Sequence, residues 1–391
     1  MAGRGRGGPR NVNAMVWVVR GRIANDGAGS RHVRLVAMGV LLVVCLVLSA
    51  TRSSGQARLT LASHVTAVVA AGPIVVPEHP NGMAIAPDGT LYVIDSGRDE
   101  VLRLTSDGQF QVVAGGGRRG FSVDGGQAID AAIDVESDSG IAVARNGTVY
   151  FADTSNGRVR EVLPDGVIET VIGGGSRAIA QGALLAREVS LSKQFTVTGL
   201  AIGPGGDLYV AAGPVYRLGR NGQLQWVVGK DIRPPKDWAG VYANPAVQLD
   251  FANSSRIAFD GRGDLLDAGG GGWGLYERTA SGKLRFIENF RGDGSWGSLA
   301  PVPGGSVALV SGRGLSLFRP TGALTNVPTP GLNAALGSSA GHEDVFIGGD
   351  GIAVAPSGAI YVDTNVGNTF TTVSAILMVN PNGQVGVVWE S

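Results

Sequence analysis

The stretch Gly140–Gly174, GIAVARNGTVYFADTSNGRVREVLPDGVIETVIGG, decides the fold of this chain. Runs rich in β-branched and aromatic residues alternate with the turn sequences Asn-Gly and Asp-Gly, which are typical of tight hairpins. The stretch therefore predicts four consecutive antiparallel strands, at Gly140–Ala144, Thr148–Ala152, Arg158–Leu163 and Val167–Ile172. Four such strands from one contiguous segment form one blade of a β-propeller.

Copies of the same unit occur along most of the chain. Including the one above, they begin near residues 82, 140, 199, 256, 298 and 351. Their spacing of 42 to 59 residues fits a four-stranded blade followed by a variable connector. Glycine is unusually frequent, at 63 of 391 residues, and falls mainly in turns, where it supplies positive φ angles. We therefore predict an all-β, six-bladed β-propeller of four-stranded antiparallel blades.

These repeats resemble the NHL-repeat family of β-propellers. Gly140–Val159 matches the pattern G-x-A-x-x-x-x-G-x-x-Y-[VF]-x-D-[ST]-x-N-x-R-[VI], and the connector Gly115–Ile133 is similar to the Gly-rich connectors of bacterial NHL arrays. The resemblance covers about residues 60–391. It implies a binding or scaffolding module similar to the extracellular NHL sensor domains of some bacterial kinases. The resemblance also implies an alternative function, a metal-dependent lyase or hydrolase, because some propellers of this broad kind are metal-dependent lyases or lactonases.

The N-terminal segment differs from the repeats in composition. Residues 1–34 are rich in glycine and arginine and predict a disordered, basic, cytoplasmic tail. Residues 35–50, LVAMGVLLVVCLVLSA, carry no charge. Their length lies between a signal-peptide core and a membrane-spanning helix, so both an uncleaved anchor and a cleaved signal peptide stay open. Residues 51–63 are interpreted as a linker and residues 64–391 as the propeller.

Charge and cysteine content bear on the compartment and the partners. Residues 1–57 carry eight arginines and one aspartate, and because the whole chain has no net charge, residues 58–391 carry −7. An acidic domain repels phosphate backbones, so we expect no nucleic-acid partner. The only cysteine, Cys45, lies in the apolar segment, which excludes disulfides from the propeller. We expect an extracytoplasmic monomer, held at the membrane through residues 35–50 or secreted after cleavage.

The loops between blades are long and varied, and the loops between second and third strands are expected on the same face. We place the binding site on this face, because rigid scaffolds usually carry binding residues on such loops. The candidate residues are polar groups at strand ends and tryptophans on the varied loops. They are Asp95, Arg98, Asp153, Asn156, Arg158, Asp363 and Asn365, together with Trp238, Trp273 and Trp296.

Two interpretations stay open for each of these groups. Asp and Asn at a strand end often cap their own loop instead of binding a ligand, and the tryptophans could fill gaps between the less regular fourth and fifth copies. As ligand contacts, exposed indoles are suited to sugars, peptides or a protein surface. The expected partner is a cell-envelope protein, peptide or glycan, and a binding module needs no cofactor.

The enzyme alternative depends on histidine. The sequence contains no H-E-x-x-H motif, Walker loop or EF-hand ladder. His79 precedes the first copy, whereas His342 and Glu343 precede the sixth, and the first and last blades are neighbours in a closed ring. These residues could together hold one divalent metal, zinc or calcium, which could activate water for hydrolysis or lyase chemistry.

Overall fold

The computed structural model describes residues 76–179, 184–191, 197–228, 255–269, 274–289, 297–311, 314–327, 345–346, 351–368, 371–382 and 384–390. In these residues the chain forms six antiparallel sheets, each with four consecutive strands at its centre. The predicted all-β, six-bladed propeller is thereby confirmed.

Blades one to three come from the first half of the chain. Blade one contains β1 (Pro80–Ile85), β2 (Leu91–Asp95), β3 (Glu100–Leu104) and β4 (Phe110–Ala114). Blade two contains β5 (Ile141–Val143), β6 (Val149–Asp153), β7 (Arg158–Val162) and β8 (Ile168–Gly173). The short strands β9 (Arg177–Ala178), β10 (Leu184–Leu185) and β11 (Val189–Ser190) follow. Blade three contains β12 (Gly199–Ile202), β13 (Leu208–Ala211), β14 (Val215–Leu218) and β15 (Gln223–Val228).

Blades four to six follow the same plan. Blade four contains β16 (Ser255–Phe259), β17 (Leu265–Gly269), β18 (Gly274–Arg278) and β19 (Leu284–Asn289). Blade five contains β20 (Ser298–Pro301), β21 (Val307–Ser311), β22 (Gly314–Phe318) and β23 (Leu324–Asn326). Blade six contains β24 (Val345–Phe346), β25 (Ile352–Val354), β26 (Ile360–Asn368), β27 (Thr371–Val379) and β28 (Val385–Glu390).

The hydrophobic core lies between neighbouring blades. One buried cluster joins Ile94 and Val101 of blade one to Ile141, Phe151 and Val162 of blade two. Each blade therefore has a neighbour on both faces, so its central strands lack a clean alternation of apolar and polar residues. This explains why a run such as β6, Val-Tyr-Phe-Ala-Asp, is mostly buried.

The ring closes through its innermost strands. β1, β5, β12, β16, β20 and β25 contact one another in this order, and β25 contacts β1. The C-terminal strand β28 pairs with β27 at the outer edge of blade six. The sequence HVTAVVA at residues 64–70 resembles the fourth strand of a blade and predicts a closing strand on blade six, at an edge for which residues 384–390 compete. Residues 64–70 lie outside the described residues.

Helical structure is limited to two short 3-10 turns, Ala128–Asp130 and Ala186–Glu188, in the part of the chain that the structure describes. No helix among these residues is long and apolar enough to cross a membrane. The predicted tail, apolar segment and linker, residues 1–63, lie outside the described residues, and so do the first residues of the predicted propeller.

The meander gives the propeller two different faces. The turn after each innermost strand and the turn between the third and fourth strands emerge on one face, which we call the hairpin face. The loops between second and third strands, and the ends of the fourth strands, emerge on the opposite face, which we call the varied-loop face. Gly147, with φ of 87°, shows why the hairpin turns need glycine.

Candidate functional site

Three of the predicted site residues are aspartates in second strands: Asp95 and Asp153 end β2 and β6, whereas Asp363 lies inside the longer strand β26. Asp95 Oδ1 accepts hydrogen bonds from the backbone N–H groups of His79 and Gly97, at 2.9 and 3.1 Å. Asp153 Oδ1 accepts one from the Asp134 N–H at 2.8 Å, and Asp363 Oδ1 accepts one from the Gly351 N–H at 2.8 Å. In each blade the carboxylate thus fixes the segment that leads into the innermost strand. These contacts favour the capping interpretation, and ligand binding by these aspartates stays a prediction.

The neighbouring polar residues also have partners in the described structure. Arg98 bonds Glu100 at 2.9 Å and lies 3.4 Å from Glu78. Asn156 Nδ2 donates to the Gly120 carbonyl at 2.7 Å and to Asp153 at 2.8 Å. Arg158 Nη1 donates to the Asn156 carbonyl at 2.6 Å, and its guanidinium lies 4.1 Å from the centre of the Phe121 ring. A ligand would have to compete with these contacts.

The remaining candidates are only partly described. Asn365 lies in β26, where its backbone pairs with Phe346. His79 is exposed, and its backbone N–H is bonded to Asp95. Five predicted site residues lie outside the described residues, so the structure does not test them: Trp238, Trp273, Trp296, His342 and Glu343.

A buried arginine, which the sequence analysis missed, lies behind these loops. Arg160 in β7 is fully buried, with Nη1 at 3.5 Å from Asp153 Oδ2 and Nη2 at 3.4 Å from Asp124 Oδ1. Nη2 also donates to the Ser122 carbonyl at 3.1 Å. A buried charge needs such partners, so Arg160 ties the connector between blades one and two to the wall of blade two.

We expect the stability of the protein to fall between pH 4 and pH 6 through Asp153. Burial raises the pKa of Asp153 to about 6, although hydrogen bonds and the charge of Arg160 act to lower it. An unfolded Asp has a pKa of about 3.9, so the folded state binds this proton more tightly. The contribution of Asp153 is therefore fully present below the unfolded pKa and is lost as the pH rises through the folded one.

Replacing Asp153 with asparagine should remove this part of the pH dependence, about 3 kcal/mol. Urea unfolding of both proteins at pH 4, 5, 6 and 7 measures it. An equal loss of stability from pH 4 to pH 6 in both proteins would show that Asp153 does not titrate there.

The connectors on either side of blade two expose large apolar side chains. Phe121, Val123 and Ile129 on the first connector are 43%, 76% and 51% exposed, and Leu185 on the second is 46% exposed. We call these four residues the rim surface, because their connectors bond to the outermost strands of blades. The Gly125 N–H donates to the Ile168 carbonyl at 2.9 Å, and β10 pairs with β15.

Asp124 holds the two connectors together. It accepts hydrogen bonds from Thr170 Oγ1 on β8 and from Arg187 Nη2 on the second connector, both at 2.7 Å, and it also faces buried Arg160. The backbone carbonyl of Thr170 accepts a further bond from Arg187 Nε at 2.6 Å. The rim surface is therefore carried by segments with fixed positions, and this arrangement is suited to binding a partner without reordering a loop.

A cluster of three buried carboxylates lies on the hairpin face of blade four. Oxygens of Asp260, Asp264 and Glu277 lie within 4.8 Å of one another, which is a spacing that could hold a cation. The guanidinium of Arg262 already lies among them, with Nε at 2.8 Å from Asp260 and Nη2 at 3.0 Å from Asp264, and it also contacts Glu277. A metal would have to displace Arg262, so this cluster does not support the metal alternative. The same contacts hold Arg262, the first residue of an Arg-Gly-Asp triplet, within its own blade.

The centre of the ring contains a cavity of about 460 Å³. Its wall consists of residues from all six innermost strands and from the hairpin turns that follow β5, β12 and β16. None of the lining residues precedes an innermost strand, so the cavity extends towards the hairpin face. We predicted the binding site on the varied-loop face, whereas this cavity extends towards the opposite face.

The chain is similar to a known family profile over part of its length and to several solved structures. Residues 107–266 match the family profile described as the teneurin NHL domain. Among solved structures, a streptogramin B lyase is 12% identical with a TM-score of 0.48, and the match covers 81% of this chain and 84% of that chain. A gluconolactonase from Xanthomonas campestris is 15% identical with a TM-score of 0.43, covering 81% and 87% of the two chains.

Proposed function

Since residues 107–266 carry the NHL signature within a six-bladed propeller, we propose that this NHL propeller is a binding module that holds a protein partner on the rim surface. The observation that carries the proposal is the exposure of Phe121, Val123, Ile129 and Leu185 on two connectors. Exposed apolar patches rimmed by polar residues mark interaction sites. Here Asp124 and Arg187 supply the polar frame.

A triple variant, Val123→Ser, Ile129→Ser and Leu185→Ser, tests the rim surface. All three side chains are about half exposed or more, so we expect the free energy of unfolding to change by less than about 1 kcal/mol in total. The full-length wild-type and variant proteins are immobilised, and the cell-envelope proteins that each retains are compared by quantitative mass spectrometry. We expect at least one protein to be lost about tenfold or more from the triple variant.

The matched control is Val387→Ser. Val387 lies on β28 of blade six and is 45% exposed, so this variant removes a similar apolar side chain far along the chain from the rim surface. The partner should be retained by the control variant as strongly as by the wild type. Equal retention by all three proteins, or equal loss from the triple variant and the control, would contradict a partner site on the rim surface.

The proposal includes an extracytoplasmic location, which is supported by the sequence of residues 1–50. Seven arginines precede the uncharged segment 35–50, and a basic flank favours retention of the N-terminus in the cytoplasm. Protease treatment of intact cells and of lysed cells tests this location. Digestion only after lysis of all membranes would contradict it, and N-terminal sequencing of the exported form would separate a cleaved signal peptide from an anchor.

The alternative function needs a separate test. It is a metal-dependent lyase or hydrolase, with His79, His342 and Glu343 as metal ligands. Two of these residues lie outside the described part of the chain, and His79 is exposed. Metal analysis of untagged protein, with thermal shifts on adding zinc or calcium, separates the two functions. Stoichiometric metal that is lost from a His79→Ala, His342→Ala double variant would favour the enzyme.

A further inference from the structure

We propose that the central cavity is a second binding site, open to the hairpin face, for a small apolar molecule that carries one carboxylate group. The site is separate from the rim surface and does not depend on it. Its volume of about 460 Å³ lies within the range of small-molecule pockets in proteins.

At the end nearest the varied-loop face, backbone segments of neighbouring blades lie in close contact and Arg256 bridges two of them. An added Cβ at Gly82 would lie 2.5 Å from the Ser139 carbonyl oxygen, and one at Gly351 would lie 2.4 Å from the Asn81 oxygen. Neighbouring blades therefore approach each other here as closely as glycine allows. Arg256, at the start of β16, donates to the carbonyls of Asp138 and Thr198, which precede the innermost strands of blades two and three. A ligand is therefore expected to enter from the opposite end, where hairpin-turn residues line the cavity.

The wall of the cavity offers apolar contact and hydrogen bonds. Each innermost strand pairs with a second strand on one side only, so its other edge turns peptide groups towards the cavity. Between these edges lie aliphatic and aromatic side chains, among them Ile85, Val143, Ile202, Phe259 and Val354. Apolar and polar groups each contribute about half of the exposed wall, so the cavity suits a ligand with an apolar body that also makes several hydrogen bonds.

The charged groups that line the mouth differ in their pairing. Arg262 is already engaged, because it lies among the carboxylates of Asp260, Asp264 and Glu277. Arg145, in the turn after β5, is exposed, and the described residues offer it neither an ion pair nor a hydrogen bond. An unpaired guanidinium at the mouth of a partly apolar pocket favours a carboxylate. Arg145 therefore favours a ligand with one anionic group at the end that lies nearest the mouth of the cavity.

The test uses 4-phenylbutyrate and its neutral analogue 4-phenylbutanol as probes, with binding measured by calorimetry on the full-length protein. We expect the carboxylate to bind the wild type more tightly than the alcohol. Arg145→Gln should weaken the carboxylate about tenfold and leave the alcohol unchanged. The matched control Arg220→Gln changes another exposed arginine of a hairpin turn, one that does not line the cavity, and should bind both probes like the wild type.

A second variant tests whether the probes occupy the cavity itself. Val143→Phe adds volume at a half-buried position of the wall and should abolish binding of both probes while thermal unfolding stays cooperative. The proposal is overturned if the wild type binds neither probe at millimolar concentration, if Arg145→Gln binds the carboxylate like the wild type, or if a folded Val143→Phe keeps both affinities. Because Arg145 is exposed, its variant remains informative even if Val143→Phe does not fold.

Discussion

Replacing Arg160 with methionine is expected to lower the free energy of unfolding by about 3–5 kcal/mol at pH 7. The change keeps an apolar side chain of similar length but removes the guanidinium that faces Asp153 and Asp124. Asp153 is fully buried, so the variant leaves a carboxylate in the interior without its cation. Urea unfolding of the wild type and the variant measures the difference.

Acid should partly rescue this variant. Burial already raises the pKa of Asp153 in the wild type, and loss of the cation raises it further. The carboxyl group is then protonated in the folded state at pH 4–5, and the stability difference between variant and wild type should shrink there. A pH-independent difference would indicate that lost packing, and not the unpaired carboxylate, causes the destabilisation.

Arg158→Met is the matched control for this experiment. Arg158 lies two residues away on the same strand and is only partly buried, and its guanidinium contacts a backbone carbonyl and the Phe121 ring. Its loss should cost about 1 kcal/mol. Similar losses for both arginines would contradict a special role for the buried one. Because Arg160 also holds Ser122 and Asp124, its variant should show faster amide exchange in the first connector, including the rim surface.

The second large effect is expected for Arg262→Met on the hairpin face. This variant removes the guanidinium that lies among Asp260, Asp264 and Glu277, all of which are buried. Arg285, at 3.0 Å from Glu277, is then the remaining cation, so three clustered carboxylates share one positive charge. We expect a loss of about 3–5 kcal/mol in the free energy of unfolding at pH 7.

The direction of the pH dependence is again diagnostic. Burial raises the pKa of Glu277 even with its cations present, and mutual repulsion should raise the pKa values of all three carboxyl groups in the variant. A raised folded-state pKa gives stability that is present in acid and lost as the pH rises, so the deficit should decrease on acidification to pH 4. The control Arg285→Met removes a half-exposed partner and should cost about 1 kcal/mol. Equal losses for the two arginines would contradict the central position of Arg262.

Calcium adds a further outcome to the Arg262→Met experiment. Without the guanidinium, the three carboxylates have the oxygen ligands that calcium prefers. If calcium raises the thermal midpoint of the variant but not that of the wild type, the guanidinium of Arg262 takes the place of a metal ion in this cluster. No calcium effect in the variant would mean that the cluster lacks the geometry or the additional ligands for a metal.

The sequence by itself determined the class of fold, the number of blades and the approximate bounds of the four strands of blade two. These depend on local signals, such as Asn-Gly and Asp-Gly turns between β-branched runs, and similar glycine-containing turns recur along the chain. Predicted and observed bounds of blade two differ by a residue at the strand ends; for example, Thr148–Ala152 was expected and Val149–Asp153 is observed. Capping by Asp95 and Asp153 was also within reach, because each lies at the end of its strand.

Part of what the sequence analysis missed was visible as a departure from the repeat. Arg256 stands where other copies have Gly82, Gly140, Gly199 and Gly351. Likewise, Arg145 occupies a position where four other copies have a proline, namely Pro87, Pro204, Pro303 and Pro356. A charged residue at a position that is otherwise glycine or proline indicates that the position has a special role. The sequence does not show which groups the charged side chain contacts.

Only the tertiary structure decided the chemistry of the individual sites, because their partners come from different blades and connectors. Asp124 lies 46 residues before Thr170 and 63 before Arg187, and Arg256 contacts a carbonyl 118 residues away. Desolvation, which raises the pKa of Asp153, likewise arises only when blade two is enclosed by its neighbours and its connector. The repeat pattern is a property of each segment alone, whereas burial, ion pairing and the open end of the cavity exist only once the six segments form a ring.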